Sequence, residues 1–171
     1  LEMLEAGRPT IEAFEEAIEA LAFNPTEENR QIADEVRQRF CAEIEEILSA
    51  VPWRREQLNR ASSLMSRALR KDSSKQIREL FDRVSVEIDA FKFVFMRLDD
   101  ESGKAVFKLN NPRYPSNQQD VLVGVGDYLQ ERFLVRSISP NLVRLEDTKV
   151  MGPSGYRKLA ASRISSVSGE S

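Results

Sequence analysis

Apolar residues recur at spacings of three and four through the first half of this chain, and at a spacing of two through much of the second. Ile11, Phe14, Ile18, Leu21 and Ala22 form a helical stripe behind Thr10, whose hydroxyl suits a cap, with Glu12 on the favourable side of the helix dipole. Asn24-Pro25 ends that helix and starts the next, Asn as cap and Pro in the first turn. Ile32, Val36, Phe40, Ile44, Ile47 and Leu48 mark one face of a second helix, about 36 Å long if it runs about 24 residues. Val51-Pro52 is a break. Leu58, Ala61, Leu64, Met65, Ala68 and Leu69 then predict a third helix over about Trp53–Lys71. Ser73-Ser74-Lys75-Gln76 reads as a capping box, ahead of a fourth stripe of Ile77, Leu80, Phe81, Val84, Ile88 and Phe91. Such short breaks favour antiparallel neighbours.

At Phe91 the period becomes two. Phe91, Phe93 and Phe95 alternate with Lys92, Val94 and Met96, Asp99–Gly103 supplies a hairpin turn, and Ala105–Leu109 is the return strand. Asn110–Asp120 is a polar loop with two prolines, a free surface loop or a contact rim. Val121, Val123 and Val125 share one face of the next strand, which Gly126-Asp127 breaks. Phe133-Leu134-Val135 begins another. Its period slips, because Val135 and Ile138 lie three apart, so either a bulge sits near Ser137 or both faces are covered. After the turn at Ser139-Pro140-Asn141, Val143 and Leu145 share a face opposite Arg144. Lys149-Val150-Met151 offers a last strand. Gly152–Ser171, rich in Ser, Gly and Ala, reads as a loosely ordered tail with a short helix near Tyr156–Ser162. The expected fold is α+β: an antiparallel bundle of three to four helices over residues 10–90, a small antiparallel β-barrel or sandwich of five or six strands over 91–151, and a flexible tail over 152–171.

Composition narrows the chemistry. The chain has 171 residues, a net charge of −3, no His and one Cys, so an ordinary catalytic triad, the commonest metal ligand and an internal disulfide are all excluded. VGVGD carries Gly-x-Gly without the Lys or following helix of a phosphate loop. Asp99-Asp100-Glu101 lacks the ligand spacing of a calcium loop. Adjacent carboxylates such as Glu15-Glu16 and Glu45-Glu46 point different ways on a helix. No catalytic residue, metal or cofactor is expected, and no apolar run reaches the ~18 residues that span a bilayer.

Charge is uneven. Residues 1–50 hold 13 acids and four bases, whereas residues 51–75 hold seven bases and two acids. The plain reading is that acidic and basic helices lie side by side and pair. The sharper one is a basic face of Arg54, Arg55, Arg60, Arg67, Arg70 and Lys71 beside Trp53, for nucleic acid or acidic lipid.

One stretch resembles a known family. Val125-Gly126-Asp127-Tyr128-Leu129, then Phe133-x-Val135-x-x-Ile138, then Val143-x-Leu145, is similar to the small β domain of the PilP/GspC family, inner-membrane, periplasm-facing components of type IV pilus and type II secretion machines. The resemblance covers about 30 residues of apolar positions plus one Gly-Asp, a pattern that other small SH3-like barrels share. It implies a non-enzymatic scaffold module whose partners are a secretin or inner-membrane pilus components, with self-association as a further option. It implies a docking surface on an open strand edge or on the face around Val121, Val123 and Val125 and around Arg132, Leu134 and Arg136, used by β-augmentation. It also implies a periplasmic or inner-membrane-associated location, held through a segment outside this sequence. The alternative is a cytoplasmic module that binds nucleic acid or the ribosome through the basic third helix and the barrel. A hydrolase with its site between the helical and β parts is the third reading.

Overall fold

The computed structural model describes residues 10–89, 93–109, 120–152 and 155–160. Four helices, α1 (Thr10–Phe23), α2 (Glu27–Ser49), α3 (Arg55–Lys71) and α4 (Lys75–Asp89), precede seven strands. The strands are β1 (Phe93–Leu98), β2 (Ala105–Leu109), β3 (Asp120–Val123), β4 (Tyr128–Leu129), β5 (Phe133–Ser139), β6 (Leu142–Asp147) and β7 (Tyr156–Ala160). The chain divides into two compact units, Leu1–Ile88 and Asp89–Ser171.

In the helical unit the apolar stripes meet in one core of Phe14, Phe40, Ile44, Met65, Ile77 and their neighbours. The Phe14 and Phe40 rings stack with centroids 5.0 Å apart. Burial of side chains this size contributes roughly 1.5–3 kcal/mol each. Ala33, Ala61 and Ala68 are also fully buried, and such small side chains let helix axes come close. Ile32, expected on the α2 stripe, is 39% exposed, and Ala33 takes the inward position.

The helix ends differ in detail from the sequence reading. Thr26, not Asn24, caps α2: its hydroxyl accepts from the Asn29 backbone N–H at 3.2 Å. Asn24 instead closes α1, donating its N–H to the Ala20 carbonyl. At α3 only half of a reciprocal box exists, in which Gln57 Oε1 accepts from the Arg54 N–H, because an arginine side chain has no acceptor to return. At α4 the Ser74 N–H and hydroxyl both donate to Asp72, which also accepts from Arg37 Nε at 2.6 Å. One carboxylate thus ties α2 to the α3–α4 corner. Trp53 is 2% exposed, and its indole N–H donates to the Ile47 and Leu48 carbonyls.

The second unit holds two antiparallel sheets, ordered β1-β2-β3 and β4-β5-β6-β7. Of the two expected forms it is the sandwich: no ladder joins the sheets among the described residues, and the barrel does not close. Both sheets feed one core, in which the Phe93 ring meets those of Phe107 and Phe133 edge-on at 5.8 and 5.1 Å. The period slip in β5 is a bulge, with the β5–β6 register shifting between Val135 and Ser137. The Asp99–Gly103 turn forms as expected, with Gly103 at φ +67° and the Asp99 carboxylate accepting from the Ser102 N–H and hydroxyl. Those two bonds hold the Asp99 carboxyl below the usual range.

Two expectations at the C-terminal end are corrected. Lys149–Met151 is not a strand: Thr148 and Lys149 lie in a turn and Val150 makes an isolated bridge. Tyr156–Ala160, read as tail and short helix, is β7, paired with β6 from Leu142↔Ala160 to Glu146↔Tyr156. The β6 edge offers a row of backbone donors and acceptors, and pairing with it outweighs weak local preference. Phe91, the 110–119 loop and 161–171 lie outside the described residues.

Candidate functional site

The turn between β3 and β4 is the best-defined surface feature of the β unit. The Asp127 N–H donates to the Gly124 carbonyl at 3.1 Å, and Gly126, third of the four, has φ +88°. A positive φ at that position is type II geometry and suits glycine. The Asp127 carboxylate locks the turn by accepting from the Gly124 N–H at 2.8 Å. The turn is pinned to β5 as well: Gly126 donates to the Val135 carbonyl and Val135 donates to that of Asp127, both at 2.9 Å. Val125 therefore sits at a rigid corner, and it is 64% exposed.

Two more large apolar side chains flank it. Leu122 on β3 is 50% exposed and Tyr128 on β4 is 54% exposed. Isolated exposed apolar residues are ordinary, but three at steps of three residues around one locked turn make a feature. Beside them, β3 ends its sheet and pairs only with β2, and its outer edge has no ladder partner among the described residues.

The next turn carries strain. The Arg132 N–H donates to the Leu129 carbonyl at 3.2 Å across Gln130 and Glu131, at φ 53° and 56°. Two central residues at positive φ make a type I′ turn, a conformation that favours Asn-Gly. The chain leaving this turn is held firmly. Arg132 and Asp147, 4% and 1% exposed, form a two-pronged ion pair, Nε to Oδ1 at 2.7 Å and Nη2 to Oδ2 at 3.0 Å. The Thr148 hydroxyl donates to the Arg132 carbonyl, the Lys149 N–H donates to Asp147, and the guanidinium lies 5.3 Å from the Phe133 ring centre.

The residues singled out from sequence on this unit fall into three groups. Val123 and Arg132 are interior, and Val121 packs against the core. The two sites corrected by this burial are Val123, which points inward because β3 fills the core with its odd-numbered residues, and Arg132, which is drawn in by Asp147. Val125 is displayed at the corner. Leu134 and Arg136 lie on the outer face of the second sheet, where Leu134 is half-buried and Arg136 pairs with Glu146. Leu122 and Tyr128 were missed; the signal for Leu122 was the opposite phase of the same alternation.

On the helical unit the basic residues largely meet carboxylates. Arg67 grips Glu15 at 3.1 and 2.7 Å, Lys71 meets Glu19, and Arg60 meets Glu43 at 3.3 Å. Steps of four on both α1 and α3 show that these two helices run parallel, with α2 antiparallel between them in sequence. The hydrogen bonds from Arg67 hold the Glu15 carboxyl below its usual value, and the bond to Glu19 raises Lys71. Arg54 and Arg70 are exposed, and Arg55 is half-buried. Cys41 is buried, and desolvation pushes its thiol pKa up, as for an inert core cysteine.

A cleft of about 330 Å³ lies among Leu48, Trp53, Asp82, Arg83, Val86 and Glu87. Its Arg83 is engaged by Glu45 at 2.8 Å. Among the described residues no group of three or more His, Cys, Asp or Glu side chains is placed to hold a metal ion, and no helix is long and apolar enough to cross a membrane. Comparison with protein-family models, curated proteins and solved structures finds no match.

Proposed function

We propose that this chain is a protein-binding module whose β unit takes a partner strand along the outer edge of β3. The observation that carries this reading is the conjunction of an edge strand with Leu122, Val125 and Tyr128 displayed around a turn that Asp127 and β5 hold fixed. Main-chain bonds supply affinity in strand addition, and alternate side chains select the partner. A rigid corner lowers the ordering cost of presenting Val125. The helical unit, with its own core and its own cross-helix ion pairs, serves as the carrier.

The resemblance of Val125–Leu145 to the PilP/GspC β domain gives the partner to try first: a periplasmic segment of a secretin, with the module in a pilus or secretion apparatus. That placement rests on the resemblance alone.

Titration of the isotopically labelled chain with such a segment tests the reading by backbone amide shifts. Perturbation concentrated at residues 120–123 and around Val125, abolished by Leu122→Arg, is the expected result. Shifts confined to α3, together with polynucleotide binding that weakens steeply with salt, would replace it with the nucleic-acid alternative.

A further inference from the structure

The outer face of the second sheet carries a different pattern from the β3 edge. Alternation along β6 buries Val143, Leu145 and Asp147 and turns Leu142, Arg144 and Glu146 outward. Cross-strand partners share a face, so the ladder Ser137↔Arg144↔Lys158 is one outward row over β5, β6 and β7. Tyr128↔Leu134↔Glu146 is the parallel row over β4, β5 and β6.

Arg144 and Lys158 are thus direct cross-strand neighbours of like charge, and both are exposed. Like charges directly opposite destabilise a sheet. Neither has an ion-pair partner among the described residues, whereas the nearby Arg136 at the bulge takes Glu146. The face therefore runs from apolar Tyr128 and Leu134, through the Arg136–Glu146 pair, to two cations without an ion-pair partner among the described residues.

The geometry points to this face as a second contact, for an acidic segment of a protein partner: an apolar side chain seated against Tyr128 and Leu134, and carboxylates meeting Arg144 and Lys158. It deepens the reading of the β unit as a protein-docking module and rests on it. The apolar end favours a polypeptide over a bare polyanion, because nucleic acid or a lipid headgroup surface has less use for the exposed Tyr128 and half-buried Leu134 beside the charges. It is also continuous with the displayed Tyr128. Strands are spaced about 4.8 Å apart, so β4 to β7 spans about 14 Å, the length of about four residues of extended chain. The partner segment then carries an apolar residue and, about four residues on, acids.

The test uses the intact chain and a blocked peptide with one leucine followed about four residues later by two aspartates, spaced as that geometry requires. A matching peptide with asparagines is the control, alongside oligothymidylate and phosphatidylcholine vesicles containing phosphatidylglycerol. The expected result is shifts on the outward residues of β5–β7 with the acidic peptide. Affinity falls roughly tenfold with asparagines or with Arg144→Ser/Lys158→Ser, and falls as salt rises. Both substitutions sit on exposed side chains, and Leu122→Arg should leave this binding intact. Equal affinity for the two peptides, or tighter binding of oligothymidylate or vesicles on the same face, would overturn the proposal. A peptide that shifts only residues 120–123 and is lost with Leu122→Arg would also overturn it, while leaving edge docking standing.

Discussion

The two units differ in how deeply they bury charge. In the helical unit most ion pairs lie on the outside: Arg60–Glu43, Lys71–Glu19 and Arg83–Glu45 each have at least one half-solvated partner, and only Arg37–Asp72, with side chains 16% and 10% exposed, is largely enclosed among the pairs of the described residues. In the β unit one pair, Arg132–Asp147, is inside, with side chains 5% and 0% exposed. Water screens the first kind, and neither partner suffers much if the other is removed. The second kind is expensive to break, because the remaining charge stays buried without its counterion. The fully buried pair is therefore a feature of the β unit, while the helical unit relies mainly on solvated pairs and encloses Arg37–Asp72 only in part.

The largest expected effect comes from that difference. Asp147→Ala leaves the Arg132 guanidinium stranded and should destabilise the β unit by about 3–5 kcal/mol. Amide hydrogen exchange in β5 and β6 should accelerate steeply while α1–α3 keep their protection. Replacing both partners together with apolar residues should restore much of the loss. Equal loss of protection in both units would break the comparison.

A smaller gain is expected from relieving the strained hairpin. Gln130→Asn with Glu131→Gly suits the observed positive φ values and should stabilise the β unit by about 1 kcal/mol, read as a rise in its denaturation midpoint. No change would mean that the surrounding ladder already absorbs the strain.

The smallest effect belongs to the helical surface. Arg67→Ala should lower the melting temperature by only about 1–2 °C at neutral pH. Because the folded Glu15 pKa is depressed by its bond to Arg67, that contribution is fully present above the ordinary glutamate value. It is lost as pH falls through the lower folded value, so parent and variant should converge in acid. A gap that widens on acidification would show that Glu15 is not the group Arg67 serves.

Much of this architecture could be read from periodicity. Stripes such as Val36–Phe40–Ile44 and Leu58–Ala61–Met65–Ala68 have few alternatives to a helix, and each side chain's burial follows from its phase. The β5 bulge was visible for the same reason, as a break in phase. The features that could not be read depend on partners distant in sequence. β7 forms because β6 presents an edge, not because YRKLA prefers a strand. Arg132 and Asp147 are 15 residues apart, and only the folded hairpin shows that they meet inside. Which residues of β3 face outward was not legible either: Val123 is buried and Leu122 exposed, and a four-residue strand can be shifted by one position without violating its pattern.

The seclusion of Trp53 has a practical consequence. It is the sole tryptophan, and it lies in the helical unit, whereas Tyr114, Tyr128 and Tyr156 all fall in the other half of the sequence. Indole emission selectively excited in this protein is therefore an optical gauge of one half alone. Shielded from solvent and tethered to two carbonyls, the ring should resist acrylamide quenching and shift to the red only when the bundle opens.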